Sequence, residues 1–255
     1  MKTIVIIPSR YASERLPAKP LARIHGKTLI ERVYERVKLA EGLDGVYVAT
    51  DHISIADEVE RHGGEVIMTS PECPSGTDRV AAAARALSLD DDIVINVQGD
   101  EPLIEPSVIT ALATAMREDP SILVATPISL LKNPSDLTDP SVVKVVMDTN
   151  RNALYFSRQT IPYIRDLGDD DIHLWMNAFP FFKHIGVYAY RAEVLKQFVA
   201  LGVSRLEQAE RLEQLRLLEA GIPIRCVQVD YESVAVDTPA DVIKVERIIE
   251  EQGLE

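Results

Sequence analysis

The sequence predicts a three-layer α/β/α sandwich built on a mostly parallel sheet, with an aromatic-rich insert. Two observations predict this fold class. Short β-branched runs alternate with amphipathic stretches through the first half of the chain, which is the pattern of βαβ units. The chain has 255 residues, of which 46% are hydrophobic and 26% charged, so it has enough apolar sequence to bury a full core as one domain, 1–255.

The elements of the first half follow that alternation in order. We expect strands at residues 3–7, 46–50, 65–68, 93–97 and 122–128, where short apolar runs lie between turn signals. Between them, apolar residues at helical spacing predict helices at 29–39, 53–62, 78–87 and 106–116. The last three of these helices have Ser, Asp or Pro near their starts, as helix N-termini often do.

The second half has a less regular pattern. Runs at 142–147, 185–190 and 224–229 are typical of strands. Residues 204–219 predict a single helix, because Ser204 and Glu207 have the spacing of a capping box and Gly221 follows as a terminator. A last helix is expected after Thr238, since Pro239 would occupy its first position.

The segment 151–190 holds nine of the chain's 14 aromatic residues, among them the single Trp175. One interpretation is that these rings fill the core of an insert or a subunit interface. The other is that they form a lid over a ligand. Aromatic clusters more often have the first role, so the sequence alone favours it.

Charge and cysteine content limit the classes of partner. The net charge of −13 argues against a nucleic-acid binder, because such proteins need clustered Lys and Arg. Residues 1–38 nevertheless hold nine Lys or Arg against three acids, which indicates a local site for a small anion. The apolar run 4–7 is too short for a signal peptide or a membrane span, so we expect a cytoplasmic protein without membrane contact. Cys73 and Cys226 stand far apart, and we assign them no chemistry.

The loop after the first strand is the strongest candidate for anion binding. In open α/β sheets, ligands lie beyond the carboxyl ends of the strands, which is where this loop begins. It contains no Gly, so it matches neither a Walker A motif nor a dinucleotide fingerprint and must bind through side chains. Arg10, Arg15 and Lys19 supply three cations among prolines that favour an extended path, which suits a triphosphate. The alternative is a solvated loop with scattered charges.

Two acidic positions are candidate magnesium ligands. Asp100 follows Gln98 and Gly99 at the end of a predicted central strand, at the same edge of the sheet, and Mg²⁺ prefers carboxylate and phosphate oxygens. Asp237 lies just before the last helix, where it would be either a second ligand or an alternative cap. The sequence by itself favours the cap, and Asp100 is equally compatible with a simple turn.

A third polar loop, CPSGTDRV, joins the third predicted strand to the next helix. Its side chains are of the kind that read a base or a ribose, although the same residue types are ordinary at the start of a helix. The candidate nucleotide-binding residues here are Ser75, Gly76, Thr77, Asp78 and Arg79.

Together these segments resemble the 3-deoxy-manno-octulosonate (Kdo) cytidylyltransferases, also called CMP-Kdo synthetases, over essentially the whole chain. The order of the motifs is the specific part of this resemblance. They are IPSRYASERLPAKPL, VATDH, SGTDR, INVQGDEP, VKVV, ALYFSRQTIPY, KHIGVYAYR, RLEQLRLLEAG and VDTPAD.

The resemblance implies a nucleotidyltransferase fold of Rossmann-like type, a homodimer and the transfer of CMP from CTP to Kdo. It implies that Arg10, Arg15 and Lys19 hold the CTP phosphates, that residues 75–79 and Gln98 line the nucleotide, and that Asp100 and Asp237 hold magnesium. The catalytic set is Arg10, Lys19, Asp100 and Asp237. The implied sugar-binding set is Arg158, Arg165, His184, Tyr188, Glu213 and Gln214. Three positions depart from the family's usual residues: Ser9 replaces Ala, Ala18 replaces Gly and Tyr163 stands where Trp is also common.

Rival functions differ in the features they require. In CMP-sialate synthetases the corresponding loop ends in Lys-Asn, whereas Pro20 follows Lys19 here. Sugar-1-phosphate nucleotidyltransferases begin with a Gly-rich loop, which is absent. These motifs do not distinguish an enzyme that activates 8-amino-Kdo from one that activates Kdo, because the two sugars differ by one substituent. A non-catalytic CTP sensor, from a different class, would need neither the two carboxylates nor a sugar pocket.

Overall fold

A ten-stranded sheet runs through the middle of the computed structural model, which describes residues 1–13, 15–167 and 172–254. A separate two-stranded sheet contains β2 and β3. In chain order the strands are β1 (Thr3–Ser9), β2 (Arg23–Ile24), β3 (Lys27–Thr28), β4 (Gly45–Thr50), β5 (Glu65–Met68), β6 (Ile93–Asn96), β7 (Val124–Leu130), β8 (Lys144–Met147), β9 (Ala153–Ser157), β10 (Phe182–His184), β11 (Tyr188–Arg191) and β12 (Ile224–Gln228).

Helices cover both faces of the large sheet. They are α1 (Leu29–Lys38), α2 (Ile53–Arg61), α3 (Gly76–Ala86), α4 (Pro106–Glu118), α5 (Pro134–Thr138), α6 (Ile172–Ala178), α7 (Ala192–Ala200), α8 (Arg205–Glu210), α9 (Leu215–Glu219) and α10 (Pro239–Gln252). Short 3₁₀ turns occupy Lys19–Leu21 and Arg165–Leu167.

Strand β1 shows why the molecule has three layers. Successive side chains of a strand point to opposite faces of the sheet. Ile4 and Ile6 pack in one buried cluster with α3 and α7, while Val5 and Ile7 pack in another with α1 and α4. Because β1 is apolar on both faces and lies between β4 and β6, it must be central. The predicted α/β/α sandwich is confirmed.

The sheet is parallel at its N-terminal side and mixed beyond it. Strands β5, β4, β1 and β6 lie side by side in that order and are parallel. Strand β11 then runs antiparallel between β6 and β7, and β12 pairs parallel to β7. The carboxyl ends of β1, β4 and β6 therefore meet at one edge, which is where the candidate loops begin.

Most predicted elements have the expected position, and the caps explain small shifts. Helix α3 begins at Gly76 instead of residue 78 because the Ser75 side chain accepts the Asp78 N–H and caps the helix. Helix α10 begins as predicted, with Thr238 and Asp241 forming a capping box. In the second half, the strand predicted at 185–190 is observed as β11, which begins at Tyr188. The shift arises because Val187 N donates to Ile185 O in a turn between β10 and β11.

The prediction of one helix over 204–219 is wrong. The capping box of Ser204 and Glu207 is present, but the chain leaves the helix at Arg211, whose φ is 55°, and resumes it in α9. The cause is tertiary. The Arg158 side chain donates to the carbonyls of Glu210 and Arg211, two groups that a continuous helix would use for its own hydrogen bonds.

The aromatic-rich segment is divided between the sheet and a small separate cluster. It contributes β9, β10 and β11 to the sheet. Trp175 and Phe181 are buried in a third apolar cluster with Leu131 and Leu137, as expected if the rings fill a core. The roles of this segment in a lid or a subunit interface stay predictions.

A buried ion pair anchors the broken helix, and its removal should destabilise the fold. Arg216 donates to both Glu207 carboxylate oxygens, at 2.6 and 2.8 Å, and its guanidinium lies over the Phe198 ring. We expect Glu207→Gln to leave a buried, unneutralised guanidinium and to lower the free energy of unfolding by about 3 kcal/mol. Urea denaturation measures this, with exposed Glu193→Gln as the control. Equal midpoints for the two variants would contradict the expectation.

Candidate active site

A cavity of about 600 Å³ opens at the edge of the sheet where β1 and β6 end. Its walls come from five places: the loop after β1, the start of α3, the loop after β6, the segment just before α9 and the segment just before α10. The lining residues are Pro8, Ser9, Arg10, Ser13, Arg15, Lys19, Pro20, Cys73, Pro74, Ser75, Gly76, Arg79, Gln98, Gly99, Asp100, Glu213 and Asp237. Sequence reasoning therefore predicted most of its charged residues.

Lys19 brings the two predicted carboxylates together. Its Nζ lies 2.7 Å from Asp100 Oδ2 and 2.9 Å from Asp237 Oδ1. Arg15 adds an exposed ion pair to Asp237 at 3.1 Å. Asp100 and Asp237 thus converge on one cation although 137 positions separate them in the sequence, which no local spacing predicts.

The local structure around each carboxylate keeps it available. Thr238 caps α10 and Asp241 completes the capping box, so Asp237 is not the cap. Its backbone N–H donates to Asp241 and its carboxylate faces Lys19. The Asp100 carbonyl accepts the Val236 N–H at 2.8 Å, which ties the loop after β6 to the start of α10.

This donor set fits a divalent cation. Two carboxylates that share one ammonium at hydrogen-bond distance, on the wall of an open polar cavity, are the oxygen ligands that Mg²⁺ prefers alongside substrate phosphates. Within the described residues, the one group of three or more His and carboxylate side chains close enough for a metal lies elsewhere, at Glu31, Glu58 and His62. Its carboxylates already have partners, since Arg61 pairs with Glu58 and the Thr28 N–H donates to Glu31.

Two small residues explain how the loops approach each other. A side chain at Gly99 would place its Cβ 2.9 Å from the Pro8 carbonyl, so a larger residue would push the loops after β1 and β6 apart. Ala18 has a φ of 51°, in the left-handed region that Gly adopts without strain. That conformation explains why Gly is usual at this position in the family that the motifs resemble. Ala18 adopts the same conformation with some backbone strain, and Lys19 follows it directly.

The first turn of α3 divides into residues that face the cavity and residues that hold the wall. Ser75, Gly76 and Arg79 line the cavity. Thr77 instead donates to Glu213 Oε2 at 2.9 Å, and Asp78 accepts from the Ser75 hydroxyl at 2.7 Å. The Arg79 guanidinium is almost fully buried and donates to Asp51, a residue that sequence reasoning missed.

The remaining cavity residues differ in how they are held. Arg10 is exposed and, among the described residues, has no ion-pair partner, so its charge is available to an anion. Gln98 donates weakly to Asn96 at 3.4 Å. Cys73, to which the sequence assigns no chemistry, lines the cavity. Cys226 is buried, and desolvation raises the pKa of its thiol to about 12. Both cysteines are free, as expected.

Of the predicted sugar-binding set, Glu213 alone lines this cavity. Burial raises the pKa of its carboxyl above the ordinary value, while the Thr77 hydroxyl acts in the opposite direction. Gln214 is next to it and buried, and its Nε2 has no hydrogen-bond partner among the described residues. An unpaired buried amide is costly unless a ligand or water satisfies it.

Arg158 and Arg165 are not brought into the cavity. The Arg158 guanidinium donates to the carbonyls of Glu210, Pro140 and Arg211, so it holds the break between α8 and α9. Arg165 is exposed in its 3₁₀ turn. No sequence pattern predicts this difference, because an Arg that binds carbonyls and an Arg that binds a sugar carboxylate look alike in one dimension.

His184 and Tyr188 lie together next to β7. Their ring centroids are 5.3 Å apart, and the Phe156 ring contacts the other side of His184. Desolvation lowers the pKa of His184 to about 3, so the imidazole is neutral. Burial raises the pKa of Tyr188 well above its ordinary value, so the phenol also stays neutral.

Thr126 selects the tautomer of His184. Its Oγ1 lies 2.8 Å from the Val187 carbonyl, 3.3 Å from the Ile185 carbonyl and 3.0 Å from His184 Nε2. A carbonyl only accepts, so the hydroxyl donates its single proton to Val187 and accepts from Nε2–H. Nδ1 of the neutral ring then carries no proton and can accept a hydrogen bond.

Comparison with known proteins agrees with this geometry. A profile described as Cytidylyltransferase matches residues 4–228. The 3-deoxy-manno-octulosonate cytidylyltransferase of Syntrophotalea carbinolica is 49% identical over 96% of this chain and 98% of its own. The 8-amino-3,8-dideoxy-manno-octulosonate cytidylyltransferase of Shewanella putrefaciens is 47% identical over 97% and 98%.

A solved structure extends the comparison to three dimensions. It is that of a CMP:2-keto-3-deoxy-manno-octonic acid synthetase complexed with CTP, which aligns with a TM-score of 0.90 and 42% identity over 99% of this chain and 100% of that one. No helix in the described part of the molecule is long and apolar enough to cross a membrane. The match of sequence and fold over nearly the whole chain confirms the resemblance of the motifs: the chain belongs to the cytidylyltransferase family, among the 3-deoxy-manno-octulosonate cytidylyltransferases.

Proposed function

We propose that this enzyme transfers CMP from CTP to the anomeric hydroxyl of Kdo, giving CMP-Kdo and pyrophosphate and so activating the sugar for lipopolysaccharide synthesis. The observation that carries this proposal is the convergence of Lys19, Asp100 and Asp237 on the wall of a cavity that also presents Arg10. Cations for phosphates and carboxylates for a metal are the groups that a nucleotidyl transfer needs. The family membership supports the same reaction.

The protein's part in this reaction is to position and neutralise charge. The oxygen of the anomeric hydroxyl attacks the α-phosphorus and the hydroxyl proton passes to solvent, while the bond from that phosphorus to the bridging oxygen breaks and pyrophosphate leaves with the bonding electron pair. Arg10 forks across phosphate oxygens. Lys19 Nζ exchanges its carboxylate partners for phosphate oxygens as the nucleotide binds, so it takes up negative charge on the phosphates.

Asp100 and Asp237 would hold magnesium on the wall of the cavity. Bound there, the ion would supply Lewis-acid stabilisation of the charge on the phosphates. Among the described residues, the counter-charges that pair with the two carboxylates are Lys19 and Arg15.

The substrate groups are assigned to two different sets of residues. Ser75, Gly76 and Gln98 lie near one another, since the nearest approach of a Gly76 Cβ would be to Pro8 and Gln98, and we assign them to the nucleoside. Glu213, Gln214, Tyr188 and His184 are assigned to the sugar acid, with His184 Nδ1 as an acceptor for a sugar hydroxyl. Arg158 and Arg165 stay predictions for the sugar carboxylate, to be tested apart from the others.

Two finer assignments accompany this function. Relatives named for Kdo and for 8-amino-Kdo are almost equally identical to this chain, so both sugars belong in the assay. A homodimer follows from the family resemblance, and exposed apolar side chains in the aromatic-rich segment, Tyr163, Leu174 and Phe179, are compatible with a subunit interface there.

The reaction is tested by pyrophosphate release with magnesium. Each of the four nucleoside triphosphates is paired with Kdo, 8-amino-Kdo and sialate. We expect release with CTP and Kdo at the highest kcat/KM, because base and sugar both contact side chains of the cavity. If no nucleotide and sugar pair released pyrophosphate, the proposed activity would be wrong. If 8-amino-Kdo were turned over faster than Kdo, 8-amino-Kdo would be the preferred substrate.

Asp100→Asn should lower turnover by roughly a hundredfold or more, since an amide holds a divalent cation and orients Lys19 far less well than a carboxylate. Folding should be little affected, because Asp100 lies on the cavity wall and not in the core. Exposed Asp57→Asn on α2 is the matched control. Near-normal kcat of Asp100→Asn with CTP and Kdo would remove Asp100 from the metal site.

His184 should stay neutral at physiological pH. Its pKa of about 3 lies below the unfolded value of roughly 6.5. Between these pH values the unfolded state binds more protons, so this residue lowers the stability of the fold as the pH falls through that window. The proton NMR shift of its ring should be flat from pH 8 to about pH 5. A midpoint near 6.5 would contradict the buried, neutral ring.

The tautomer has its own signature in ¹⁵N NMR. We expect a protonated Nε2 and an unprotonated Nδ1 in the wild type and in Thr126→Ser, which keeps the hydroxyl. Thr126→Val removes the acceptor and should mix the two tautomers. The same spectrum for all three proteins would show that Thr126 does not select the tautomer.

A further inference from the structure

Asp51 connects two walls of the cavity through one carboxylate. Its Oδ1 accepts the Tyr11 backbone N–H at 3.0 Å, and its Oδ2 accepts from Arg79 Nη2 at 2.9 Å. Tyr11 belongs to the loop after β1, directly after Arg10. Arg79 belongs to the first turns of α3, beside Ser75 and Gly76. The cavity-lining residues do not include Asp51 itself.

The sheet register places Asp51 at this junction. Ser9 pairs with Thr50 at the last position of the β1–β4 ladder, so Arg10 and Asp51 are the first residues beyond it on the two strands. The Tyr11 ring then stacks on His52, with centroids 3.8 Å apart and an interplanar angle of 17°. Tyr11 thus connects the loop that carries Arg10 to the end of β4 through two contacts, a hydrogen bond to Asp51 and a ring stack on His52.

The ion pair with Arg79 makes this fastening rigid. Arg79 is only 3% exposed, and its Nη1 also donates to Thr69 Oγ1 at 2.7 Å. A buried guanidinium needs a counter-charge, and Asp51 supplies it for Arg79. The same ion pair holds the Asp51 carboxylate in place. Because a carboxylate has two oxygens, it can serve Tyr11 and Arg79 together, whereas an amide cannot accept both bonds in the same way.

We propose that Asp51 is a positioning residue that couples the phosphate-binding loop to the nucleoside-binding turn of α3. It sets the distance between Arg10 on one wall and Ser75 and Gly76 on the other, and so the span offered to a nucleoside triphosphate. The identity of that ligand rests on the proposed function. The coupling itself rests on the contacts of Asp51.

Asp51→Asn tests the coupling. It is nearly isosteric but leaves Arg79 without a counter-charge and one of the two donors without its acceptor. We expect the KM for CTP to rise roughly tenfold or more, from the loss of a charge-assisted hydrogen bond. The KM for Kdo should rise less than the KM for CTP, since His184 and Tyr188 lie on other elements and Glu213 contacts α3 through Thr77 and not through Arg79. Asp90→Asn, which removes an exposed ion pair with Lys196, is the control.

Hydrogen exchange gives a readout that does not depend on activity. In Asp51→Asn the Tyr11 amide, and the loop around it, should exchange faster than in the wild type and in the control, while the amides of β1 should not change. An unchanged Tyr11 exchange rate with an unchanged KM for CTP would overturn the proposal. So would an equal rise of both KM values with general loss of protection, since that is a purely structural effect.

The two proposals fail separately. If the wild type released no pyrophosphate with any substrate pair, the proposed function would fail while the Tyr11 exchange rate still tested the coupling. If Asp51→Asn did not fold, Tyr11→Ala, which removes the stack on His52 and keeps the buried ion pair, would replace it. The expected rise in the KM for CTP is then smaller, and its absence together with unchanged loop exchange would count against the coupling.

Discussion

The ammonium of Lys19, shared between Asp100 and Asp237, is the contact on which the organisation of the cavity depends. It joins the loop after β1, the loop after β6 and the start of α10, three places far apart in the chain. Two carboxylates on one wall repel each other, and a cation between them turns that repulsion into attraction. In the proposed function the same feature makes the pair suitable for a divalent ion, and Lys19 changes partners when phosphates bind.

Backbone geometry and buried polar contacts support that cluster. Gly99 allows the loop after β6 to approach the Pro8 carbonyl, and the left-handed Ala18 directs the chain into the 3₁₀ turn that begins with Lys19. Asp51 fastens the other end of the same loop to β4 and α3. Arg10 and Lys19 are therefore held in place by the backbone of the loops and by Asp51, and in the proposed function this preorganisation reduces the ordering cost of binding an anion.

The opposite wall is built by interrupting a helix. Carbonyls that a continuous helix would have used are taken by Arg158, and the chain reaches α9 with Glu213 on the cavity and bonded to Thr77. Behind it, the Thr126 hydroxyl fixes a neutral His184 in one tautomer. This wall presents hydrogen-bonding groups with little positive charge, in contrast to the cationic wall formed by Arg10, Arg15 and Lys19.

The layers, the helix caps and the cationic loop could be predicted from the amino-acid sequence, because they depend on periodicity and on neighbouring residues. Ile4 to Ile7 had to be central, Ser204 and Thr238 had to cap helices, and Arg10 and Lys19 had to follow a strand at the ligand-binding edge. The order of motifs also identified the family. Three contacts could be seen only in the folded molecule: Asp100 and Asp237 share Lys19, Arg158 binds carbonyls at a helix break, and Asp51 bridges two loops. Each of these is a contact between side chains and distant backbone, and a one-dimensional pattern carries no information about such distances.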